Sequence, residues 1–184
     1  MLSETKSRLS AAKAGNAGKK IFLNLLILIT LSLFLSCAKQ NYSEKINPLL
    51  DKYIEAWNTG NLSLLTGVVD SSFELRKLPD FQPMRGIKSL EDYIIGTRTV
   101  VPDFFLKETE KLFISDTAVV VTWTLKGTYK GETDLPPTGS KINIPGFSIF
   151  YFNGSKLTGE WIAFSDLTWV KQLGFKIMPP SNEP

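Results

Sequence analysis

The chain has 184 residues, with 21 lysines and arginines, 18 aspartates and glutamates, one cysteine and no histidine. One cysteine excludes an internal disulfide framework and a cysteine-rich zinc site; the lack of histidine excludes Ser-His-Asp and Cys-His hydrolases and His-ligated metals. The net charge of +3 belongs to residues 1–20, because from Cys37 onward 16 basic residues meet 17 acidic ones and no basic stripe is left for a nucleic acid.

In chain order, the first feature is Lys19-Lys20 followed by the apolar run Ile21–Ser36 and then Cys37. A basic segment, an apolar run and a small residue before a cleavage point have the form of a secretory signal. The run falls short of the roughly 20 apolar residues that a spanning helix needs, and Asn24, Thr30 and Ser32 weaken it further. The only cysteine lies at its end, where Phe34-Leu35-Ser36-Cys37 resembles the lipobox of bacterial lipoproteins. That resemblance implies lipidation at Cys37, and several acyl chains on one residue suffice for stable anchoring. The alternatives are an uncleaved signal anchor and plain secretion. The expected division is a signal peptide over 1–36, a polar tether over 37–45, one domain over 46–175 and a tail over 176–184.

Ile46, Leu49, Leu50, Tyr53, Ile54 and Trp57 recur at three- and four-residue steps, which predicts a helix ending at Asn58-Thr-Gly-Asn61. Leu62 to Val68 suggests a second, shorter helix. A brief strand is expected over Phe73–Leu78, and a third helix over Leu90–Val101 with Ser89 as N-cap and Pro102 as its stop. The period then changes to two. Strands are predicted over Phe104–Ser115, Ala118–Tyr129, Lys141–Phe152 and Lys156–Phe164. Asn153-Gly154 marks a hairpin of the kind that requires positive φ at both central residues. A terminal helix is expected over Leu167–Leu173, with Asp166 suited to its N-cap. Helices followed by antiparallel strands predict an α+β fold.

This order of elements resembles the SnoaL-like polyketide cyclase or ester-cyclase family of the nuclear-transport-factor-2-like superfamily. The residues that carry the resemblance are Leu135-Pro-Pro-Thr-Gly-Ser-Lys141 with Gly146-Phe-Ser-Ile-Phe150, Gly159-Glu-Trp161, and Gln172-Leu-Gly174. Weaker echoes are Trp57-Asn-Thr-Gly-Asn61, Arg85-Gly86 and Pro102-Asp103, so the likeness runs from about Leu49 to Phe175. It implies a cone-shaped, curved antiparallel sheet covered by the N-terminal helices and enclosing an aromatic pocket. It also implies intramolecular ring closure of a polyketide ester without any cofactor or metal, driven by a pocket carboxylic acid. Superfamily members pair through the sheet, so a homodimer of that kind is a further expectation.

The family's aspartate aligns with Ser165, and Asp166 follows one place later. Tyr129 stands where the family's Gly-Thr-His motif has histidine, and Arg76 stands near a further family histidine. Alternation puts Leu157, Gly159, Trp161, Ala163 and Ser165 on one strand face, and Glu160, Ile162, Phe164 and Asp166 on the other. Asp166 is the candidate catalytic acid, provided that a bulge near Ala163–Asp166 re-aims it. Trp123, Tyr129, Trp161 and Ser165 are the candidate ligand-pocket residues, whereas Glu160 is expected to be a structural partner and Asp103 to shape the turn at Pro102.

The missing histidines and displaced acid favour a lipid-anchored envelope protein that binds a small hydrophobic ligand in a cyclase-shaped domain. The alternatives are a cofactor-independent cyclase or isomerase and a structural envelope lipoprotein. An inward carboxylate with apolar surroundings would restore the enzyme reading.

Overall fold

The computed structural model describes residues 43–79, 82–131, 136–176 and 178. The chain divides into two compact units, Met1–Glu44 and Lys45–Pro184, and the fold described here is that of the second. The expected signal segment, Cys37 and the tether as far as Tyr42 lie outside the described residues.

Helix α1 spans 43–59, so residues 43–45 of the expected tether are helical. Its apolar stripe is buried as the spacing predicts, with Ile46, Leu50, Tyr53, Ala56 and Trp57 all in the core. The predicted second helix is a single 3₁₀ turn, Leu62–Leu65, which buries Leu65 and closes at Thr66. Strand β1, Val69–Lys77, begins four residues earlier than Phe73. Polar, exposed Ser71 and Ser72 break its alternation, and its register against its neighbour shifts between Val69 and Glu74. The two-residue strand β2, Met84–Arg85, leads directly into helix α2, Gly86–Val100. That helix starts a turn before the expected Ser89 cap, with Arg85 as N-cap, and ends where Pro102 cannot continue it.

Four long strands follow: β3 (Phe105–Phe113), β4 (Ala118–Thr128), β5 (Lys141–Phe152) and β6 (Leu157–Phe164). The short helix α3, Asp166–Gln172, closes the described fold. All six strands form one sheet in the order β2-β1-β6-β5-β4-β3. Its pairings are antiparallel except β1 with β6, which is parallel; the expected wholly antiparallel sheet is therefore a mixed one. The β5–β6 connection also departs from a two-residue turn. Only Gly154 has positive φ, at 93°, and Asn153 instead accepts the Lys156 amide on its side-chain oxygen at 3.2 Å.

The motif residues hold the fold together at identifiable joints. Gln172 clamps the β5 backbone at Asn143, accepting its N–H at 2.6 Å and donating to its carbonyl at 3.0 Å. Asp103 accepts both the amide (2.6 Å) and the hydroxyl (2.8 Å) of Thr128, which ties the turn after α2 to the end of β4 and holds its carboxyl below the usual range. In the Pro-Thr-Gly stretch, Gly139 at φ 68° sends its N–H back to Tyr129, returning the chain from β4 to β5. Arg98 donates to the carbonyls of Trp57 and Asn58 at 3.0 and 2.8 Å, joining α2 to the end of α1. The Asn58 amide in turn pairs both ways with the Leu106 backbone of β3.

Candidate functional site

The concave side of the sheet and the helices enclose a cavity of about 260 Å³. Period two determines which strand residues reach it. Trp123 and Leu125 come from β4, Ser148 and Phe150 from β5, and Glu160, Ile162 and Phe164 from β6. From the helices come Tyr53 and Trp57 of α1, Tyr93, Thr97 and Val100 of α2, and Trp169 of α3. Aromatic edges build the walls. Trp57 meets Tyr93 nearly perpendicularly with ring centres 5.6 Å apart, and Trp123 meets Phe164 at 6.2 Å.

Gly146 makes the Trp123 wall possible. It lies opposite Trp123 in the β4–β5 register, and a Cβ there would stand 2.3 Å from the indole ring. The absent side chain lets the ring lie across the neighbouring strand.

A buried carboxyl sits among these apolar walls. Glu160 is 4% exposed, and its Oε2 accepts the Tyr53 hydroxyl at 2.5 Å. Burial pushes its carboxyl up to about 7, against the opposing pull of hydrogen bonds from Ser148 and Tyr53. Ser148 is itself buried and accepts the Trp123 indole N–H at 3.0 Å. Four strand and helix residues thus form one polar chain through the core: Trp123, Ser148, Glu160 and Tyr53. Burial, reinforced by the Glu160 charge, raises the Tyr53 hydroxyl well above its usual value; the same causes, with Asp166, take Tyr93 to about 12. Both phenols are therefore neutral donors near pH 7.

At the rim of the cavity, Asp166 pairs with Lys77 at 3.1 Å while its side chain is about half exposed. The Lys77 ammonium also lies 4.7 Å from the Phe164 ring centre.

The residues named from sequence separate into distinct places. Trp123 lines the cavity, as does Asp166. No bulge re-aims Asp166, because β5 and β6 stay in register from Tyr151 opposite Gly159 to Gly146 opposite Phe164. The face shared by Glu160, Ile162 and Phe164 is the concave one, and Asp166 borders the cavity from the first position of α3, just past the end of β6. Trp161 consequently lies on the other face of the sheet, where the Arg76 guanidinium stands 5.6 Å from its ring and pairs with Glu74. Ser165 is the α3 N-cap and accepts the Thr168 amide at 3.1 Å, so the cap expected of Asp166 belongs to its neighbour. Tyr129 is buried behind the cavity wall, edge-on to Trp169 at 6.2 Å. The residues missed were Tyr53, Tyr93 and Ser148. Glu160, expected as a structural partner, lies in the cavity wall; its carboxylate on a face otherwise formed by Ile162 and Phe164 is the signal for it in the sequence.

A curved, unclosed sheet wrapped by three helices around an aromatic cavity defines the cone-shaped α+β class. Residues 47–173 match the SnoaL-like polyketide cyclase family, and the chain belongs to it. No curated protein matches in sequence. Among solved structures, TsrD from Streptomyces laurentii superposes with a TM-score of 0.64 at 20% identity, covering 71% of this chain and 96% of that one. A SnoaL-like polyketide cyclase from Agrobacterium tumefaciens gives 0.60 at 19% identity, covering 71% and 98%. A hypothetical protein with a ketosteroid isomerase-like fold from Catenulispora acidiphila, in complex with trimethylamine, gives 0.60 at 14% identity, covering 71% and 97%. These likenesses establish the fold.

Proposed function

We propose that the domain binds a small, flat and mainly apolar ligand in its aromatic cavity. The observation that carries this reading is the cavity itself: about 260 Å³, walled mainly by tryptophan, tyrosine and phenylalanine rings and aliphatic side chains, with Lys77 and Asp166 at its rim. That volume is close to the lower end of the roughly 300–1,000 Å³ range of small-molecule sites, which suits a compact ligand. Family membership brings carbonyl-bearing carbon skeletons forward as its chemical class.

Three tryptophans line the cavity, so occupancy is measurable directly. A nitroaromatic ligand such as 5-nitroindazole is expected to quench their emission in a saturable way, and Gly146→Ala, which crowds Trp123, is expected to weaken that binding. Linear, unsaturable quenching identical in both proteins would refute the reading. Native mass spectrometry of the chain from Tyr42 onward complements it by showing whether a ligand co-purifies.

The second part of the proposal concerns location. The basic segment, the apolar run and Cys37 support export and lipid anchoring to a bacterial membrane. Metabolic labelling with a clickable fatty acid is expected to mark the wild-type chain and not Cys37→Ala. Label persisting on the variant would exclude anchoring through this thiol.

A further inference from the structure

We propose that Glu160 is a general base for carbon acids bound in the cavity, with Tyr53 as its positioning partner and Tyr93 as hydroxyl donor to the developing oxyanion. The inference rests on the cavity being a ligand site and adds a reaction to it. It also places the proton-transfer group on the middle of β6, five residues before the position that aligns with the family's aspartate.

The geometry supports this assignment on several counts. Glu160 lies on the concave face between the rings of the cavity wall, so its carboxyl meets both the ligand space and its own hydrogen-bond partners. A carboxylate has lone pairs for about four hydrogen bonds, and the Tyr53 and Ser148 hydroxyls take two of them. Acceptor capacity remains for a substrate proton. The carboxyl is held from two sides, by α1 through Tyr53 and by β5 through Ser148, which is itself fixed by Trp123. A structural ion pair would have a cation here; Glu160 has hydroxyls, which support the anion without neutralising it. The groups facing it are Tyr53 from α1, Tyr93 from α2, Trp123 from β4, Ser148 from β5, and the mutually paired Lys77 of β1 and Asp166 of α3 at the rim. Its carboxyl, raised by burial to about 7, is poised between acid and base near neutral pH, where a general base is most effective.

The substrate class is a small apolar ketone or 1,3-dicarbonyl compound. A Glu160 oxygen takes the proton from the carbon beside the carbonyl. The C–H electron pair becomes a carbon–carbon double bond, and the carbonyl π pair moves onto oxygen, where the neutral Tyr93 hydroxyl can donate to it. Return of the proton from Glu160 to the enolate oxygen gives the enol and completes a keto–enol tautomerisation. Nothing is oxidised or reduced.

The test uses the full-length chain in mild detergent, with 5-nitrobenzisoxazole as substrate. Loss of its ring C–H proton to a carboxylate forms a nitrile as the N–O bond breaks, releasing a coloured phenolate. Wild-type protein is expected to open it with a rate that rises with pH through about 7 and then levels. Glu160→Gln is expected to lose on the order of 100-fold, the lower range of a positioned base. Tyr53→Phe removes a hydrogen bond that favours the anion, so its profile is expected to move to higher pH. A purely structural tyrosine would leave the midpoint in place. The non-opening isostere 5-nitroindazole reports binding separately. Equal turnover by wild type and Glu160→Gln, with both binding the isostere, overturns the base and leaves the pocket standing. An unmoved Tyr53→Phe midpoint overturns the positioning role, and a wild-type chain that does not bind the isostere overturns the pocket together with the base.

Discussion

At the residue scale, Glu160 makes stability depend on pH in a direction opposite to that of most carboxylates. Its folded-state value is raised from 4.5 to about 7, so the folded chain holds this proton longer than the unfolded chain does. Its contribution is therefore most favourable below about pH 4.5 and is lost as pH rises to about 7. At about 1.4 kcal/mol per pH unit, the full change is roughly 3 kcal/mol. Glu160→Gln keeps the shape and removes the charge. It is expected to match wild type in thermal melting near about pH 5 and to exceed it in stability by up to roughly 3 kcal/mol near about pH 8. Unchanged relative stability across that range would mean that the carboxyl is solvated in the folded protein. Gly146 is the second sensitive position. Gly146→Ala would press a methyl group against the Trp123 ring, with an expected loss of about 1–3 kcal/mol in urea unfolding.

At the element scale, the alternation of β6 is legible in the sequence alone: it separates Glu160, Ile162 and Phe164 from Trp161 and Ser165. Periodicity distinguishes two faces but carries no sign, so it could not tell which was concave. Trp161 drew the expectation toward its own face, which is the one away from the aromatic cavity. The helix boundaries show a related limit. A serine before an apolar residue is a good N-cap signal at Ser89, yet α2 starts at Gly86 because β2 runs straight into it. The terminal Gln-Leu-Gly stretch was recognisable as a motif, although its purpose was not. Gln172 is a two-bond clamp on Asn143, with Leu173 buried behind it. Gln172→Ala is expected to cost about 1–2 kcal/mol in chemical denaturation, loosening α3 against β5. Gln172→Glu keeps one acceptor and loses the donor, so it should fall between the two.

At the scale of the whole molecule, the core of the described residues begins at Ile46 and draws on both long helices and on β1, β4, β5 and β6, whereas β3 contributes no fully buried residue. A chain beginning at Ser43 is therefore expected to unfold in a single cooperative transition, with a melting temperature within a few degrees of the full chain. A broad or strongly lowered transition would show that the preceding segment contributes to the fold. The same truncation should leave 5-nitroindazole binding unchanged, because every residue lining the cavity lies between Tyr53 and Trp169.

The sequence by itself determined the order of the long elements and the α+β class, because hydrophobic periods of 3.6 and 2 and a few turn residues are local properties of the chain, while its motif residues carried the resemblance to the family. It also excluded histidine chemistry outright. Only the tertiary structure decided where the cavity lies and which side chains line it. Tyr53 and Glu160 are 107 residues apart, and no local pattern announces that a helix phenol will meet a strand carboxylate. Which face of β6 becomes concave depends on how the whole sheet curves around α1 and α2. That choice makes Glu160, the middle residue of Gly159-Glu-Trp161, the buried carboxyl of the cavity.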